Sequence, residues 1–168
     1  MGKDMEFFVD RYSMDLTRFC IWLCGNNHDA EDLFQETWYK AVKNFDKYDK
    51  NLPFDKWLFS ICINTFKNHK KLFYNKQKVE FGTDEEKQAF LNSIPCEDDE
   101  DSDSYIDLHS AVCSLPKKLK IVVVLRYFNG YSTKEISELL KIPEGTVKSR
   151  LFSARENLKR RLKRGQEF

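Results

Sequence analysis

The 168-residue chain is 41% hydrophobic, 33% charged and 14% aromatic, enough apolar material for one large or two small packed domains and too much for wholesale disorder. Its formal charge of +1 conceals an asymmetry: residues 1–83 carry 13 basic and 12 acidic side chains, residues 84–107 one and ten, and residues 108–168 fourteen and five, so a cationic last third follows an acidic strip, a pattern that points to nucleic acid. Lack of an apolar run near ~20 residues excludes a membrane-crossing helix, the first residues lack a secretory apolar core, five cysteines in mostly apolar surroundings suit reduced thiols of a cytoplasmic protein, and six glycines with four prolines are too few for an all-β fold.

An all-α chain of two small helical domains is expected. The first helix covers about residues 4–24, with Phe8, Tyr12, Leu16, Phe19, Cys20 and Leu23 stepping by three or four. A second opens at Asp29 and places Ala30, Leu33, Phe34, Trp38, Ala41, Val42 and Phe45 on one stripe. A third starts near Pro53, a good first-turn residue, and directs Trp57, Leu58, Ile61, Cys62, Thr65, Phe66, His69 and Phe73 inward. These make one aromatic-rich module over residues 4–75. Residues 76–104 lose periodicity, apart from a short helical pattern at 84–92. The run Glu97-Asp98-Asp99-Glu100-Asp101-Ser102-Asp103 repels itself, which reads as an acidic flexible linker. A second module at 105–164 follows, with a segment through Leu108, Ala111, Val112 and Leu115, another from Leu119 to Phe128 stopped by Asn129-Gly130, and a helix-turn-helix.

The helix-turn-helix carries the strongest physical signal. Ser132-Thr133-Lys134-Glu135 forms a capping box; the helix it opens runs to Leu140, breaks at Lys141-Ile142-Pro143 and restarts at Glu144. Ile136, Leu139, Leu140 and Ile142 can pack on Val147, Leu151, Ala154 and Leu158, and the short interval forces a steep crossing that projects the second helix outward. Opposite Val147 and Leu151 stand Lys148, Ser149, Phe152 and Glu156, with Arg150, Ser153 and Arg155 on the flanks. Lys148 can donate to guanine, Ser149 can bond several base edges, Phe152 can lie on a thymine methyl, and Thr146, Arg150 and Arg155 suit phosphates. The tail Lys159-Arg160-Arg161-Leu162-Lys163-Arg164 adds long-range attraction.

Two faces of the first module complete the pattern. Opposite the apolar stripe, the third helix carries Lys56, Ser60, Ile63, Lys67, Lys70 and Lys71 with Asn64 at the edge; the loop before it offers Tyr48, Asp49, Lys50, Asn51, Leu52, Pro53, Phe54 and Asp55. Aromatic and amide groups beside lysines suit unstacked bases. The entry of the second helix is acidic and apolar (Asp29, Glu31, Asp32, Leu33, Phe34, Glu36), which suits both its own dipole and a basic protein partner.

Three segments resemble the extracytoplasmic-function group of bacterial RNA polymerase sigma factors. Asp29-Ala30-Glu31-Asp32-Leu33-Phe34-Gln35-Glu36-Thr37-Trp38 resembles region 2.2, Phe54-Asp55-Lys56-Trp57-Leu58 with Ile63-Asn64-Thr65-Phe66-Lys67-Asn68 resembles regions 2.3 and 2.4, and Ile142-Pro143-Glu144-Gly145-Thr146-Val147-Lys148-Ser149-Arg150-Leu151 resembles region 4.2. The resemblance implies core polymerase and promoter DNA as partners, with Asp32, Leu33, Gln35 and Glu36 on polymerase. It also implies base capture from the −10 element by residues 48–55, strand contacts by Asn64 and Lys67, and −35 contacts by Lys148, Ser149 and Phe152. It implies an anti-sigma factor as regulator, a stress-responsive gene set, no cofactor, no small-molecule substrate and no enzymatic activity. Where primary sigma factors carry paired aromatic wedges this chain has Trp57-Leu58, which implies weaker melting and stricter promoter choice. The −10 and −35 elements lie two helical turns, ~70 Å, apart. A 29-residue linker spans ~95–105 Å extended and about 30 Å as a coil, so it can bridge them but cannot hold their register without polymerase.

Other readings are open on the residues alone. A stand-alone helix-turn-helix regulator needs no polymerase face. A metal-dependent nuclease built on Asp29, Glu31, Asp32 and Glu36 lacks a companion His or Lys. Cys20, Cys24 and His28 recur every four residues, but Gly25-Asn26-Asn27 is expected to end the helix before His28, which leaves the thiols in the core and no metal site.

Overall fold

The computed structural model describes residues 2–69 and 102–166, which are helical throughout apart from connecting turns. The first helix, α1 (Gly2–Leu23), buries Leu16, Phe19, Cys20, Ile21, Trp22 and Leu23. It ends two residues before Gly25, so Cys20, Cys24 and His28 do not share a continuous helix. The next, α2 (Asn27–Lys43), starts two residues before the periodicity places it, because Asn26 is its cap. The Asn26 side-chain oxygen accepts from the Asp29 N–H at 2.8 Å, and its amide donates to the Asp29 carboxylate at 2.7 Å. A 3₁₀ turn (Phe45–Lys47) leads to α3 (Phe54–Asn68), which follows Pro53 as expected. The three helices enclose an aromatic cluster: Phe8 stacks on Phe54 at 3.9 Å and 6°, and Phe19 meets Phe59 at 4.8 Å. Phe73, Lys70, Lys71, the helical pattern at 84–92, Cys96 and the acidic run at 97–101 lie outside the described residues.

The second module comprises α4 (Ser102–Cys113), α5 (Lys117–Val123), whose last turns widen into a π-helical segment (Val124–Phe128), α6 (Thr133–Leu140) and α7 (Glu144–Gln166). Gly130, at φ 72°, makes the left-handed turn that an L side chain resists. At α6 the capping box is complete: the Glu135 N–H donates to Ser132 Oγ at 3.1 Å and the Ser132 N–H to the Glu135 carboxylate at 2.8 Å. Ile136, Val147, Leu151 and Ala154 are buried at the helix-turn-helix crossing, with Leu139, Leu140, Ile142 and Leu158 partly covered.

The two modules do not stand apart: one continuous buried cluster runs from Leu16 to Ala154 through both. The junction is built on the C-terminus of α1, whose last carbonyls have no intrahelical partner. His109 Nε2–H donates to Ile21 O (2.5 Å), Cys113 Sγ–H reaches Cys24 O (3.1 Å), and Lys120 Nζ donates to Leu23 O (3.2 Å). Lys117 caps α3 in the same way, donating to Phe66 O and His69 O at 3.4 Å each. Trp22 stacks on Phe128 at 3.9 Å. Lys120 is a charged side chain only 7% exposed, and its position is explained by these carbonyls and by the Phe66 ring 5.5 Å away. Burial lowers the pKa of Lys120 and pushes that of His109 down to about 4, so His109 docks as a neutral ring.

Candidate nucleic-acid and protein interfaces

On α2, Asp32 is half-buried with its carboxylate 3.5 Å from His28, and Gln35 is exposed. Glu36 accepts from Lys40 at 2.8 Å and contacts His69 Nε2, which reaches across from the end of α3. Burial pushes the Glu36 pKa up, but the hydrogen bonds and charge of Lys40 and His69 outweigh it and hold the carboxyl below its ordinary range. Leu33, expected on this surface, is 1% exposed, and Trp38 is also buried. Their side chains fill the core between α1 and α3, so neither offers a surface contact. The exposed apolar groups are instead Tyr39 and Val42, 66% and 49% exposed. Val42, which the periodicity places on the apolar stripe, turns outward instead. With Tyr39 it shares the face of Asp32 and Gln35, at i+4 and i+7 from Gln35, a spacing visible in the sequence once Leu33 is assigned to the core.

The loop before α3 is a tight turn. Leu52 N–H donates to Asp49 O (2.9 Å), the Asp49 carboxylate accepts from the Asn51 N–H and side-chain amide (3.0 and 2.8 Å), and Tyr48 O–H donates to Leu52 O (2.6 Å). These bonds leave Asp49, Lys50, Asn51, Leu52 and Pro53 exposed and Tyr48 half-buried against Trp57, 5.0 Å away. Phe54, 3% exposed and stacked on Phe8, is the floor beneath the loop and not a free ring. Asp55 accepts a 2.7 Å hydrogen bond from Tyr131 of the other module.

Along α3, Lys56 pairs with Glu135 at 3.3 Å, and Asn64 and Lys67 remain exposed. Ile63, which the periodicity places opposite the apolar stripe, is 2% exposed. It is covered because α6 lies over this face: Ser60, Ile63, Asn64 and Lys67 line one wall of a cleft of about 120 Å³, and Leu139, Leu140 and Lys141 line the other. Partial burial lowers the Lys67 pKa, and the nearby charges of Arg150 and Lys118 lower it further.

The outer face of α7 is open. Lys148, Ser149, Phe152, Ser153 and Arg155 are exposed, Phe152 by 60%; Thr146 and Arg150 are half-buried. Lys148 lies 3.5 Å from Glu144 one turn earlier, and Ser149 Oγ donates to Thr146 O at 3.0 Å. Glu144 accepts from Thr133 Oγ1 at 2.7 Å, which pins the start of α7 to the start of α6; that bond and the Lys148 charge hold Glu144 below the usual carboxylate range. Tyr127, 52% exposed, receives an Arg155 N–H at 3.4 Å and extends the same surface, a residue that the sequence pattern does not single out. Residues 159–164 are exposed and end the basic face.

Cys20, Cys24, Cys62 and Cys113 are buried free thiols, with the sulfurs of Cys20 and Cys62 3.8 Å apart. Burial raises the pKa of Cys20 and Cys24 and pushes that of Cys113 up to about 12, the environment of packing groups and not of nucleophiles. Among the described residues no group of three His, Cys, Asp or Glu could hold a metal ion, and no helix is long and apolar enough to cross a membrane.

Residues 8–71 match the Sigma-70 region 2 family and residues 105–158 match Sigma-70, region 4. Across 165 residues the chain is 33% identical to the ECF RNA polymerase sigma factor SigW of Bacillus subtilis (strain 168), covering 92% of this chain and 87% of that protein. It is 27% identical over 167 residues to the RNA polymerase sigma-H factor of Pseudomonas aeruginosa, covering 95% and 86%. Its fold is similar to that of the sigma factor RpoE crystallised with the anti-sigma factor NepR from Bartonella quintana (TM-score 0.72, 24% identity, 96% and 98% of the two chains). It is similar also to CnrH bound to the cytosolic domain of CnrY (TM-score 0.70, 21% identity, 97% and 90%).

Proposed function

Because the chain belongs to the extracytoplasmic-function family of RNA polymerase sigma factors, which bind core polymerase and direct it to promoters, we propose that its surfaces divide that work by residue as follows. Asp32, Gln35 and Glu36, with Tyr39 and Val42, dock on core polymerase. The exposed turn at residues 49–53 and the Tyr48 ring take an unstacked base of the −10 element above the Phe54 floor, and Asn64 and Lys67 hold the adjacent strand. Lys148, Ser149 and Phe152 read −35 base edges, while Thr146, Arg150, Ser153 and Arg155 hold phosphates.

The observation that carries this reading is the outer face of α7, where a lysine and a serine on one turn and a 60%-exposed phenylalanine on the next stand on a helix pinned at its start by Thr133 and Glu144. An exposed aromatic ring on a basic helix serves no packing purpose and fits a thymine methyl in a major groove. Bond formation we assign to the polymerase, since among the described residues no group of three His, Cys, Asp or Glu could hold a metal ion. A cytoplasmic location, an anti-sigma factor and a stress-responsive gene set complete the proposal; the family resemblance supports them.

Run-off transcription with core polymerase on a library randomised at both elements tests the assignment. Selected start sites sharing a −10 and a −35 motif at one spacing are expected. Start sites without a −35 motif overturn the role of α7, and no transcription above core alone overturns the whole assignment.

A further inference from the structure

We infer that the cavity lined by both modules beside the Trp22–Phe128 stack binds a small, neutral, planar heterocycle that carries a carbonyl acceptor next to an N–H donor, the edge that guanine presents. Arg18, Trp22 and Phe128 have no part in the promoter or polymerase contacts, so the site stands or falls apart from them.

Size and walls suit a flat ring. The cavity has a volume of about 470 Å³, within the ~300–1,000 Å³ of sites that bury small molecules. The first module contributes Tyr12, Trp22 and Phe59 to its lining, and the second contributes Phe128 and Tyr131. Trp22 and Phe128 stack at 3.9 Å and 17°, and Phe59 meets Tyr131 edge-on at 6.3 Å. Aromatic faces and edges of this kind accept another ring by stacked or T-shaped contact.

The polar groups choose which ring. Arg18 lines the cavity, and its Nε–H is buried with no acceptor; a buried donor is stable only with a partner. Its Nη1 lies 3.7 Å from Asp15, too far for a strong hydrogen bond, so the guanidinium keeps donors to give. Asp55 accepts from Tyr131 O–H at 2.7 Å. Burial and that bond raise the Tyr131 pKa, which keeps the hydroxyl a donor and fixes the carboxylate, whose second oxygen can take a ligand N–H. Asn129, also on the lining, can donate or accept. A ligand carboxylate would meet Asp15 and Asp55. A ligand ammonium would meet Arg18 and leave its Nε–H unpaired. A neutral ring with its carbonyl toward Arg18 and its N–H toward Asp55 satisfies both. Because the walls come from both modules, a bound ring also adds to the junction between them.

Isothermal titration calorimetry of the full-length chain with guanosine tests the site. Adenosine is the control, since it turns an amine toward Arg18 and a bare ring nitrogen toward Asp55. Guanosine should bind at least about tenfold tighter, the discrimination of a site whose buried polar groups the wrong ring leaves unpaired. At ten times its Kd it should raise the melting temperature by about 3–6 °C. Arg18→Met keeps the aliphatic stem and removes the donors, and should weaken guanosine binding at least about tenfold. The comparison of the two nucleosides on the wild-type chain decides the matter even where the variant fails to fold. No heat with guanosine up to about 1 mM, equal affinities for the two nucleosides, or unchanged binding by the folded variant overturns the inference. A guanine-bearing single strand that binds more tightly than guanosine and displaces it assigns the edge to nucleic acid and overturns the free ligand.

Discussion

His109 offers a quantitative test of the module junction. Its ring is 2% exposed, donates to Ile21 O, meets Trp22 edge-on at 5.2 Å, and has Cys113 Sγ 3.4 Å away and Lys120 close by. Burial, assisted by the Lys120 charge, pushes its pKa down to about 4 from an unperturbed 6.5. The neutral form is thus favoured in the folded chain, and its contribution to stability is fully present above pH 6.5 and is lost as pH falls toward 4. Between pH 7.5 and 5.5 the unfolded chain takes up most of a proton and the folded chain almost none, a loss of about 1.4 kcal/mol by linkage. For a chain of this size that is about 4 °C in melting temperature. Thermal melts by circular dichroism at pH 7.5 and 5.5 should show wild type losing about 4 °C more than His109→Gln, whose amide can still donate to Ile21 O but does not titrate. Parallel losses in the two proteins would refute the buried neutral ring as a determinant of the junction.

Lys148→Ala and Phe152→Ala should each cost about 1–3 kcal/mol at one −35 position, seen as relaxed selection there in the run-off library with the −10 motif unchanged. Tyr39→Ala removes a ring that is 66% exposed, so the melting temperature should hold while core-polymerase affinity in a competition assay drops about tenfold, the loss expected of an interface aromatic. Ser132→Ala removes the capping hydrogen bond at α6 and should lower unfolding free energy by about 1 kcal/mol in urea titration. Neutralising the carboxylates at 97–103 should change the ratio of abortive to full-length transcripts if the acidic strip occupies a path that RNA later takes; an unchanged ratio leaves it a spacer.

Local rules made much of this chain legible from its residues. Ser132 and Glu135 are three positions apart and need nothing beyond their own turn to close the capping box. The crossing of Ile136 on Val147 and Leu151 follows from a short interval between two apolar stripes, and the exposure of Lys148, Ser149 and Phe152 follows from that crossing. The stop after Leu23 and the turn at Gly130 are likewise written in the residues beside them. Tertiary structure decided whatever depends on which helix covers which face. Periodicity assigns a side chain to a stripe, but the width of the buried arc is set by the neighbours: α1 and α3 close over Leu33 and leave Val42 outside, and α6 covers Ile63 on a face that looks solvated in isolation. The junction was invisible for the same reason. Lys120 and His109 carry no signal in the sequence; their burial is explained only by the carbonyls at the end of α1, some ninety residues earlier in the chain, since a buried polar group is stable only beside the partner that satisfies it.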